Sequence, residues 1–394
     1  MQTDQRRAAA SLPAPSADAL ASSSALHSHI AACIAAAGGW IGFDRFMELT
    51  LYAPGMGYYA GGADKFGSTG DFVTAPELGP IFARTVAAQV AQLLGLSAPN
   101  LIEAGAGSGR LAADLLLELE ARGQLPDRYG ILELSGELRA RQRATIALRA
   151  PRLLPRVRWI ERLPERFDGL VLANEVLDAM PVHLVVWKGD AICERGVGLE
   201  DGQFVWCDRV AGGCLRERAQ ALAVDHALAA GYLSEVSLLA PAWVAQWASI
   251  LGCGALLLID YGFPRREYYH AQRDSGTLMC HYRQHAHSEP FYLPGLQDVT
   301  AHVDFTAIAE AGCAAGLDLL GYTTQASFLF NCGLTEVLAR APASEPLHYL
   351  PLANAAQKLI SPAEMGELFK VMALGKGIDE PLLGFVRGDR SATL

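Results

Sequence analysis

The chain of 394 residues has little charge, and basic residues are the scarcer kind. Charged residues make up 19% of it, and 32 Lys and Arg face 42 Asp and Glu, giving a net charge of −10. An acidic chain is not drawn to nucleic-acid phosphates or anionic lipid by its charge. We therefore expect no nucleic-acid partner, whereas a cationic partner suits the charge; oligomeric state is not predictable from composition.

Paired cysteines are also missing, because the eight cysteines are dispersed without a C-x-x-C motif. This excludes a disulfide scaffold and a thiolate zinc site, and it favours a reducing, cytoplasmic compartment. His281, His285 and His287 are spaced for metal binding on a helix. Their segment has neither a helical pattern nor a carboxylate motif nearby, so we expect no metal.

Uninterrupted membrane-spanning runs are absent as well. Residues 19–43 contain serines and histidines, and residues 236–259 are broken by Pro241 and glycines, so we expect no membrane insertion. Hydrophobic residues nevertheless reach 51% of the chain, enough for a globular core. The Ala, Ser and Pro-rich residues 1–25 are expected to form a disordered tail.

Strand-like and helix-like segments alternate after an N-terminal cap of residues 26–98. This alternation predicts an α/β fold with a doubly wound, Rossmann-like parallel sheet, formed by residues 99–181 and 250–394. Residues 182–249 predict an insertion of antiparallel strands and a helix. Residues 262–304 predict a substrate-side insertion within an irregular segment from Tyr261 to Asp304, and strands near 317–323 and 382–386 are expected to close the fold.

A glycine loop follows the first strand of the predicted sheet, in Glu103-Ala-Gly-Ala-Gly-Ser-Gly109. Its glycines, Gly105, Gly107 and Gly109, let backbone approach a ligand at the amino end of a helix. The spacing differs from the Gly-x-Gly-x-x-Gly that accommodates a pyrophosphate and matches the loop around the amino-acid part of S-adenosylmethionine. Glycine turns that only pack a helix on a strand are the alternative reading.

Other strand ends offer polar groups to the same crevice. Glu133 ends the second strand, where a carboxylate accepts hydrogen bonds from ribose hydroxyls; a solvated strand end is the alternative. The cofactor-binding residues predicted from these patterns are Glu103, Gly105, Gly107, Gly109, Glu133, Leu134, Ser135 and Asn174.

Several longer motifs resemble the MidA-like family of class I S-adenosylmethionine-dependent methyltransferases, the family of the mitochondrial arginine methyltransferase needed for complex I assembly. They are Tyr52-Ala-Pro-Gly-Met-Gly-Tyr-Tyr59, Gly70-Asp-Phe-Val-Thr-Ala-Pro-Glu77, the glycine loop, Asn174-Glu-Val-Leu-Asp-Ala-Met-Pro181, and Gly295-Leu-Gln-Asp-Val-Thr-Ala-His-Val-Asp-Phe305. The resemblance implies a class I methyltransferase sheet, S-adenosyl-L-methionine as cofactor, and a protein arginine as acceptor. It also places Glu77 near the cofactor as a binding residue, and a glutamate that only favours a helix amino terminus is the alternative. For a eukaryotic chain it implies the mitochondrial matrix.

The predicted catalytic residues are Glu175, Asp178 and His302. If a helix starts after the fourth strand, Glu175 and Asp178 share one face and can hold a guanidinium through paired hydrogen bonds. In the alternative reading Asn174 caps this helix, and the two carboxylates only favour its positive end. His302 and Asp304 alternate along an extended segment and are expected to face the same side, where they hold or deprotonate the acceptor; a structural pairing is the alternative. Aromatic walls for a cationic substrate are one reading of five tyrosines, and packing is the other: Tyr58, Tyr59, Tyr268, Tyr269 and Tyr282.

Two other functions fit parts of these patterns. A nicotinamide-dependent oxidoreductase has the same architecture, but its loop spacing differs. A non-catalytic assembly factor can keep the cofactor fold while acting only by binding a partner protein.

Overall fold

The structure is a computed structural model that describes residues 12–61, 74–189, 191–342 and 344–394. Its strands are β1 (Ile41–Gly42), β2 (Asn100–Ala104), β3 (Arg128–Leu132), β4 (Val157–Ile160), β5 (Phe167–Asn174), β6 (His183–Lys188), β7 (Ala191–Glu200), β8 (Gln203–Val210), β9 (Tyr232–Val236), β10 (Leu251–Phe263), β11 (Met279–Tyr282), β12 (His285–His287), β13 (Asp298–Thr300), β14 (Val303–Asp304), β15 (Asp318–Thr324) and β16 (Phe369–Lys376).

The helices connect these strands. They are α1 (Ala17–Ala36), α2 (Phe43–Tyr52), α3 (Ala75–Leu78), α4 (Ile81–Leu96), α5 (Arg110–Ala121), α6 (Gly136–Arg149), α7 (Gly213–His226), α8 (Leu239–Ile250), α9 (Arg265–Tyr268), α10 (Phe305–Ala314), α11 (Gln325–Asn331), α12 (Leu334–Ala339) and α13 (Pro346–Ile360).

An eight-stranded sheet confirms the predicted α/β, Rossmann-like class. Its order is β15-β16-β10-β5-β2-β3-β4, with β14 added beside β10. The neighbours from β10 to β4 are parallel, and β16 runs antiparallel between β10 and β15. The chain moves outward from β2 to β3 and β4 and then returns to β5 on the other side of β2. This reversal creates a switch point at the carboxyl ends of β2 and β5, where ligands bind in such sheets.

The chain divides into two compact units, and the large sheet belongs to the second. The second unit comprises Val73–Leu177, Pro241–Pro264 and Val303–Leu394. The strand β10 is buried because its run of apolar residues, with Leu256, Leu257 and Leu258 fully inaccessible, lies between two neighbouring strands. Helices α4 and α5 contribute apolar faces to the same core.

The first unit comprises Met1–Phe72, Asp178–Ala240 and Arg265–His302. It contains an antiparallel sheet in the order β1-β7-β6-β9, with β8 beside β7, and a small sheet in the order β12-β11-β13. The insertion of antiparallel strands and a helix predicted at residues 182–249 contains β6, β7, β8 and β9 together with α7. Helices α1 and α2 contribute fully buried side chains to the core of this unit, including Leu26, Phe43 and Phe46.

One helix among the described residues is long and apolar enough to cross a membrane by length and composition, and it is α1. Its residues Leu26, Ile30 and Ile34 recur every four positions and are fully buried in the core of the first unit. The helix α1 also carries exposed serines, whose hydroxyls bond to carbonyls one turn back. A core helix of this kind meets the same length criterion, so the observation is weak support for a membrane span.

Two expectations for the chain ends need correction. Helix α1 starts at Ala17, capped by Ser16, whose hydroxyl accepts from the Ala19 amide at 3.2 Å. The boundary of the expected tail at residue 25 therefore lies inside a helix, and residues 1–11 of that tail lie outside the described residues. The strand expected at 382–386 is a 3-10 turn, and the closing strand is β16.

The segment from Tyr261 to Asp304 is more regular than expected. Strands β11 and β12 form a hairpin whose turn residues, Arg283 and Gln284, have φ values of 48° and 66°. Tight hairpin turns of this hand favour Gly, Asn and Asp. The sequence Arg-Gln therefore carries no turn signal, and the hairpin was missed for that reason.

Candidate functional site

The glycine loop lies between β2 and α5 in the second unit. Gly105, Gly107 and Gly109 have φ values of 62°, 51° and 82°, the left-handed region that favours glycine. The Gly105 amide donates to the Leu132 carbonyl at 3.1 Å, which ties the start of the loop to the end of β3. The loop therefore curls over the carboxyl edge of the sheet.

The three glycines differ in what surrounds them. A Cβ on Gly109 would lie 2.8 Å from Cα of Gln142 on α6, and one on Gly105 would lie 3.1 Å from the Val176 side chain. A Cβ on Gly107 would meet nothing within 4 Å. Packing thus explains Gly109, whereas Gly107 has open space in front of its backbone.

Glu133 is a buried carboxylate, 8% exposed, directly after β3. Its Oε1 accepts from the Ser135 amide at 2.9 Å and its Oε2 from Gln142 Nε2 at 3.0 Å. Burial raises the pKa of Glu133, and these hydrogen bonds oppose the rise. Ser135 caps α6, and its neighbour Leu134 is exposed. The carboxylate of Glu133 is therefore fixed by hydrogen bonds and is not a freely solvated strand end.

Gln142 was missed in the sequence, although it connects the loop to Glu133. Its side-chain amide also donates to the Gly107 carbonyl at 3.2 Å, and its Oε1 accepts from Trp159 Nε1 at 2.9 Å. Gln142 is fully buried on α6 between Leu138 and Ile146. A polar residue in the middle of an i, i+4, i+8 buried stripe is the signal that could have identified it.

Glu103 lies at the end of β2 and is 2% exposed. The Tyr129 hydroxyl donates to its Oε2 at 2.7 Å. Burial raises the pKa of Glu103 to about 7, and the hydrogen bond from Tyr129 only partly counteracts this. The carboxyl group therefore changes its protonation near neutral pH.

This raised pKa predicts a pH-dependent stability. Because the folded pKa lies above the ordinary 4.5, the stabilisation is complete below pH 4.5 and is lost as pH rises through about 7. We expect the free energy of unfolding to fall by roughly 3 kcal/mol over this interval. Glu103→Gln should remove this part of the pH dependence in urea denaturation of the ligand-free protein. Tyr129→Phe, which removes the opposing hydrogen bond, should deepen it; equal pH profiles for parent and Glu103→Gln would contradict the assignment.

Glu77 lies in the short helix α3 and is bound to the glycine loop. The Ser108 hydroxyl donates to its Oε1, and Arg110 Nη1 donates to its backbone carbonyl at 3.0 Å. These contacts bring Glu77 together with the loop, as the sequence prediction requires. Residues 70–73 of the preceding motif lie outside the described residues.

Asn174 and Glu175 stand at the end of β5, and no helix begins there. Glu175 has a φ of 53°, and its amide donates to the Ile259 carbonyl at 2.9 Å. The buried Asp260 accepts the next two amides, of Val176 and Leu177, at 3.1 and 2.9 Å. The expected helix and its Asn174 cap are therefore wrong, because Asp260 holds these amides in a turn.

The side chains of this turn face two kinds of partner. Oε1 of Glu175 accepts from the Ala75 amide at 3.4 Å and from Asn174 Nδ2 at 3.2 Å. The left-handed backbone of Glu175 costs about 1–2 kcal/mol, and such conformations are concentrated at functional sites.

Oδ1 of Asn174 is buried and has no hydrogen-bond partner among the described residues. This oxygen can therefore accept a hydrogen bond from a ligand.

Asp178 and His302 belong to the first unit, whereas Glu175 belongs to the second. The Ala301 amide donates to the Asp178 carbonyl at 3.0 Å, and the His302 amide donates to the Thr277 hydroxyl at 3.1 Å. Asp304 caps α10 by accepting from the Ala307 amide at 3.1 Å. Asp304 therefore has the structural role that the sequence left open.

One group of three potential metal ligands occurs in the described part of the chain: Asp44, His183 and Glu194. His183 Nδ1 lies 2.7 Å from Glu194 Oε1 and 3.5 Å from Asp44 Oδ1. Burial works to lower the pKa of His183, but Glu194 and Asp44 outweigh it, so the pKa is raised. The contacts of His183 with the two carboxylates are a sufficient reason for this group without a metal. His281, His285 and His287 lie on β11 and β12 and are not part of it.

Comparison with known proteins identifies the family of the chain. The family model "Putative S-adenosyl-L-methionine-dependent methyltransferase" matches residues 81–323. The protein belongs to this family. The methyltransferase is 57% identical to a solved protein from Burkholderia thailandensis bound to S-adenosyl-homocysteine, with a TM-score of 0.94, over 98% of this chain and 100% of that one.

Curated relatives are more distant. The mitochondrial protein arginine methyltransferase NDUFAF7 of Danio rerio is 26% identical over 88% of this chain and 86% of its own length. Its counterpart in Mus musculus is 27% identical over 85% and 81%. The predicted family, class I fold and cofactor, S-adenosyl-L-methionine, are thereby confirmed, and no comparison supports an oxidoreductase.

Proposed function

We propose that this methyltransferase transfers methyl groups to arginine side chains of a protein. The observation that carries the proposal is the similarity, over most of both chains, to relatives named protein arginine methyltransferases. The acidic charge of the chain suits a guanidinium, which is positively charged at neutral pH. By the same resemblance, the acceptor is a subunit of a respiratory complex.

The cofactor residues fit the carboxyl edge of the second unit. We assign the amino-acid part of S-adenosyl-L-methionine to the loop of Gly105, Gly107 and Gly109, where Gly107 leaves space for a ligand. We assign the ribose to Glu133, since a carboxylate with two bound donors has lone pairs left for hydroxyls. The remaining residues of the proposed site are Glu77, Glu103, Leu134, Ser135 and Asn174.

The catalytic proposal concerns Glu175, Asp178 and His302. When bound, the cofactor supplies an electrophilic methyl group on a sulfonium. A guanidinium is positively charged at neutral pH, so its nitrogens have no free lone pair to attack the methyl group. The site must therefore bind the cation and accept one of its protons. We propose that Glu175 accepts charge-assisted hydrogen bonds from the guanidinium and takes up its proton. Asp178 is proposed separately as a catalytic carboxylate. His302 is proposed as a further residue that holds or deprotonates the acceptor.

The cellular location that we propose for the protein depends on whether the chain is bacterial or eukaryotic. We propose the cytoplasm for a bacterial chain, and the mitochondrial matrix for a eukaryotic one, since the curated relatives are named mitochondrial.

Isotope transfer tests the proposed function. The purified protein should bind S-adenosyl-L-methionine and not NAD in calorimetry. With methyl-labelled cofactor and a protein extract from cells lacking this methyltransferase, we expect label in methylarginine after acid hydrolysis. Label on lysine, on a carboxylate or on a small molecule would refute the arginine assignment. Cofactor binding with no transfer to any component of the extract would favour the assembly-factor alternative.

A further inference from the structure

A buried glutamine connects the two parts of the proposed cofactor site. Gln142 lies on α6 and is fully inaccessible to solvent. Its Nε2 donates to the Gly107 carbonyl at 3.2 Å and to Glu133 Oε2 at 3.0 Å. Gly107 and Glu133 are the residues to which we assign the amino-acid and ribose parts of the cofactor. One side-chain amide therefore holds a group from each part, and all three residues belong to the second unit.

The indole of Trp159 fixes which way this amide faces. Its Nε1 donates to Gln142 Oε1 at 2.9 Å. An indole N–H can only donate, so the side-chain oxygen of Gln142 must face Trp159. The two N–H groups of the same amide are then directed at Gly107 and Glu133. The guanidinium of Arg143 lies over the Trp159 ring, 4.3 Å from its centroid, and helps to keep the indole in place.

Packing does not explain an amide at this position. Leu138 and Ile146, one turn before and one turn after Gln142, are buried apolar residues on the same helix. Burying an amide among apolar side chains costs free energy unless its polar atoms are hydrogen-bonded. Here both donors and the acceptor of Gln142 are used. The amide is thus fully satisfied, and two of its three contacts are to proposed cofactor residues.

The contact with Gly107 restrains more than one atom. Gly107 has a φ of 51°, and a Cβ there would meet nothing within 4 Å. A glycine in open space has wide backbone freedom, and the bond from Gln142 limits it. A peptide unit is planar with its C=O and N–H groups pointing in opposite directions. Fixing the Gly107 carbonyl therefore also fixes the Ser108 amide, which points away from Gln142.

We propose that Gln142 is a positioning residue for both parts of the cofactor site. It holds the carboxylate of Glu133 for the ribose hydroxyls and the peptide after Gly107 for the amino-acid part. Trp159 sets the orientation of Gln142 from outside the site. The inference rests on the proposed cofactor residues and deepens that assignment, and it does not depend on which acceptor is methylated.

Cofactor fragments measure the two parts separately. Comparing S-adenosyl-homocysteine with 5′-methylthioadenosine reports the amino-acid part, and comparing adenosine with 2′,3′-dideoxyadenosine reports the ribose hydroxyls. Ligand-observed NMR measures all four affinities. The parent protein should prefer the first ligand of each pair at least about tenfold, because the second lacks groups that form charge-assisted hydrogen bonds. Glu133→Ala should lose the ribose preference and Gly107→Ala the amino-acid preference.

Gln142→Glu separates positioning from packing, because the two side chains have the same shape. A carboxylate still accepts from Trp159 but cannot donate to the Gly107 carbonyl or to Glu133. Both preferences should therefore fall below about threefold at neutral pH. At lower pH the two neighbouring carboxylates share a proton, and the new carboxyl group can donate to Glu133 again. We expect the ratio of variant to parental affinity for S-adenosyl-homocysteine to rise as pH falls.

The other charges near Glu133 are common to both proteins. Burial raises the pKa of Glu133, and Arg139 on α6, which is paired with Glu161, acts against this rise. The glycines of the loop and Trp159 bring no charge. Glu103 titrates near neutral pH, and it does so in the parent and in the variant alike. A pH-dependent ratio therefore reports the pair of carboxylates at positions 133 and 142.

Two further variants keep the test independent of folding. Trp159→Phe keeps an aromatic ring and removes the indole N–H, so it leaves the atoms of the site intact; both preferences should weaken at least about threefold. Gln89→Glu is the matched control, since Gln89 is fully buried on α4 and its Oε1 accepts from the Gly384 amide at 2.7 Å. It should keep both preferences. Thermal denaturation reports whether each variant is folded.

The outcomes separate this inference from the proposed site and function. If Glu133→Ala and Gly107→Ala lose their preferences while folded Gln142→Glu and Trp159→Phe keep both, the positioning role is wrong and the site stands. Weak binding by Gln142→Glu with a ratio that does not change with pH also overturns the positioning role. If Glu133→Ala and Gly107→Ala bind all four ligands as the parent does, the cofactor assignment fails and the inference with it. Methylation of a residue other than arginine refutes the proposed function and leaves the inference standing.

Discussion

Gly107→Ala is expected to abolish measurable binding of S-adenosyl-L-methionine while the protein stays folded. A Cβ at this position meets no protein atom within 4 Å, so the added methyl group occupies space that we assign to the ligand. The left-handed backbone adds a strain of about 1–2 kcal/mol. Calorimetric titration measures the affinity, and urea denaturation measures the stability.

Gly123→Ala is the matched control for this variant. Gly123 follows α5 with a φ of 68°, and a Cβ there also meets nothing within 4 Å. It should show the same loss of stability as Gly107→Ala with parental cofactor affinity. If the two variants bind the cofactor equally well, the cofactor does not pass Gly107, and the loop assignment fails.

Glu175→Gln is expected to lower methyl transfer by at least about a hundredfold with cofactor affinity largely retained, since a neutral amide neither holds a guanidinium nor accepts its proton. The exposed Glu165→Gln is the matched charge control in the second unit and should transfer methyl groups at the parental rate. Single-turnover kinetics with labelled cofactor measures the effect. Parental rates in Glu175→Gln would exclude a catalytic role for this carboxylate.

Glu175→Gly separates catalysis from stability at the same position. Glycine relieves the left-handed strain of Glu175, worth about 1–2 kcal/mol, although the hydrogen bonds to Oε1 from the Ala75 amide and Asn174 are lost. We therefore expect an inactive protein that unfolds at no lower temperature than the parent. An inactive variant that is also strongly destabilised would mean that Glu175 serves mainly to hold Ala75 and Asn174.

The sequence predicted the large sheet well where strands are short, apolar and separated by helices. The strands β2, β3, β4 and β5 lie where they were expected, because a buried parallel strand is a continuous apolar run. The hairpin at Arg283 and Gln284 was missed because it lacks turn residues. The strand β16 was missed although glycines, Gly366 and Gly377, flank its apolar run. Both the hairpin and β16 are fixed by pairing with other strands and not by local sequence signals.

The site shows the same division. Local motifs identified Glu103, Gly107 and Glu133, which share one loop and two neighbouring strand ends. The roles of Gln142 and Asp260 depend on contacts between segments distant in the chain, and a single sequence does not reveal such contacts. Glu175 and Asp178 were linked by an assumed helix, and the amides that a helix would use are bound by Asp260.

The position of β16 has a consequence for how the second unit acquires its structure. This strand is inserted between β10 and β15, and the whole segment from β11 to β15 separates it in the chain from β10. Strands that are distant in the chain pair slowly, because the entropy cost of closing the long loop comes before the stabilising contacts form. During synthesis, β10 keeps an unpaired edge until β16 has left the ribosome. That edge can pair with other chains, so nascent forms of this methyltransferase are expected to need chaperones at this stage.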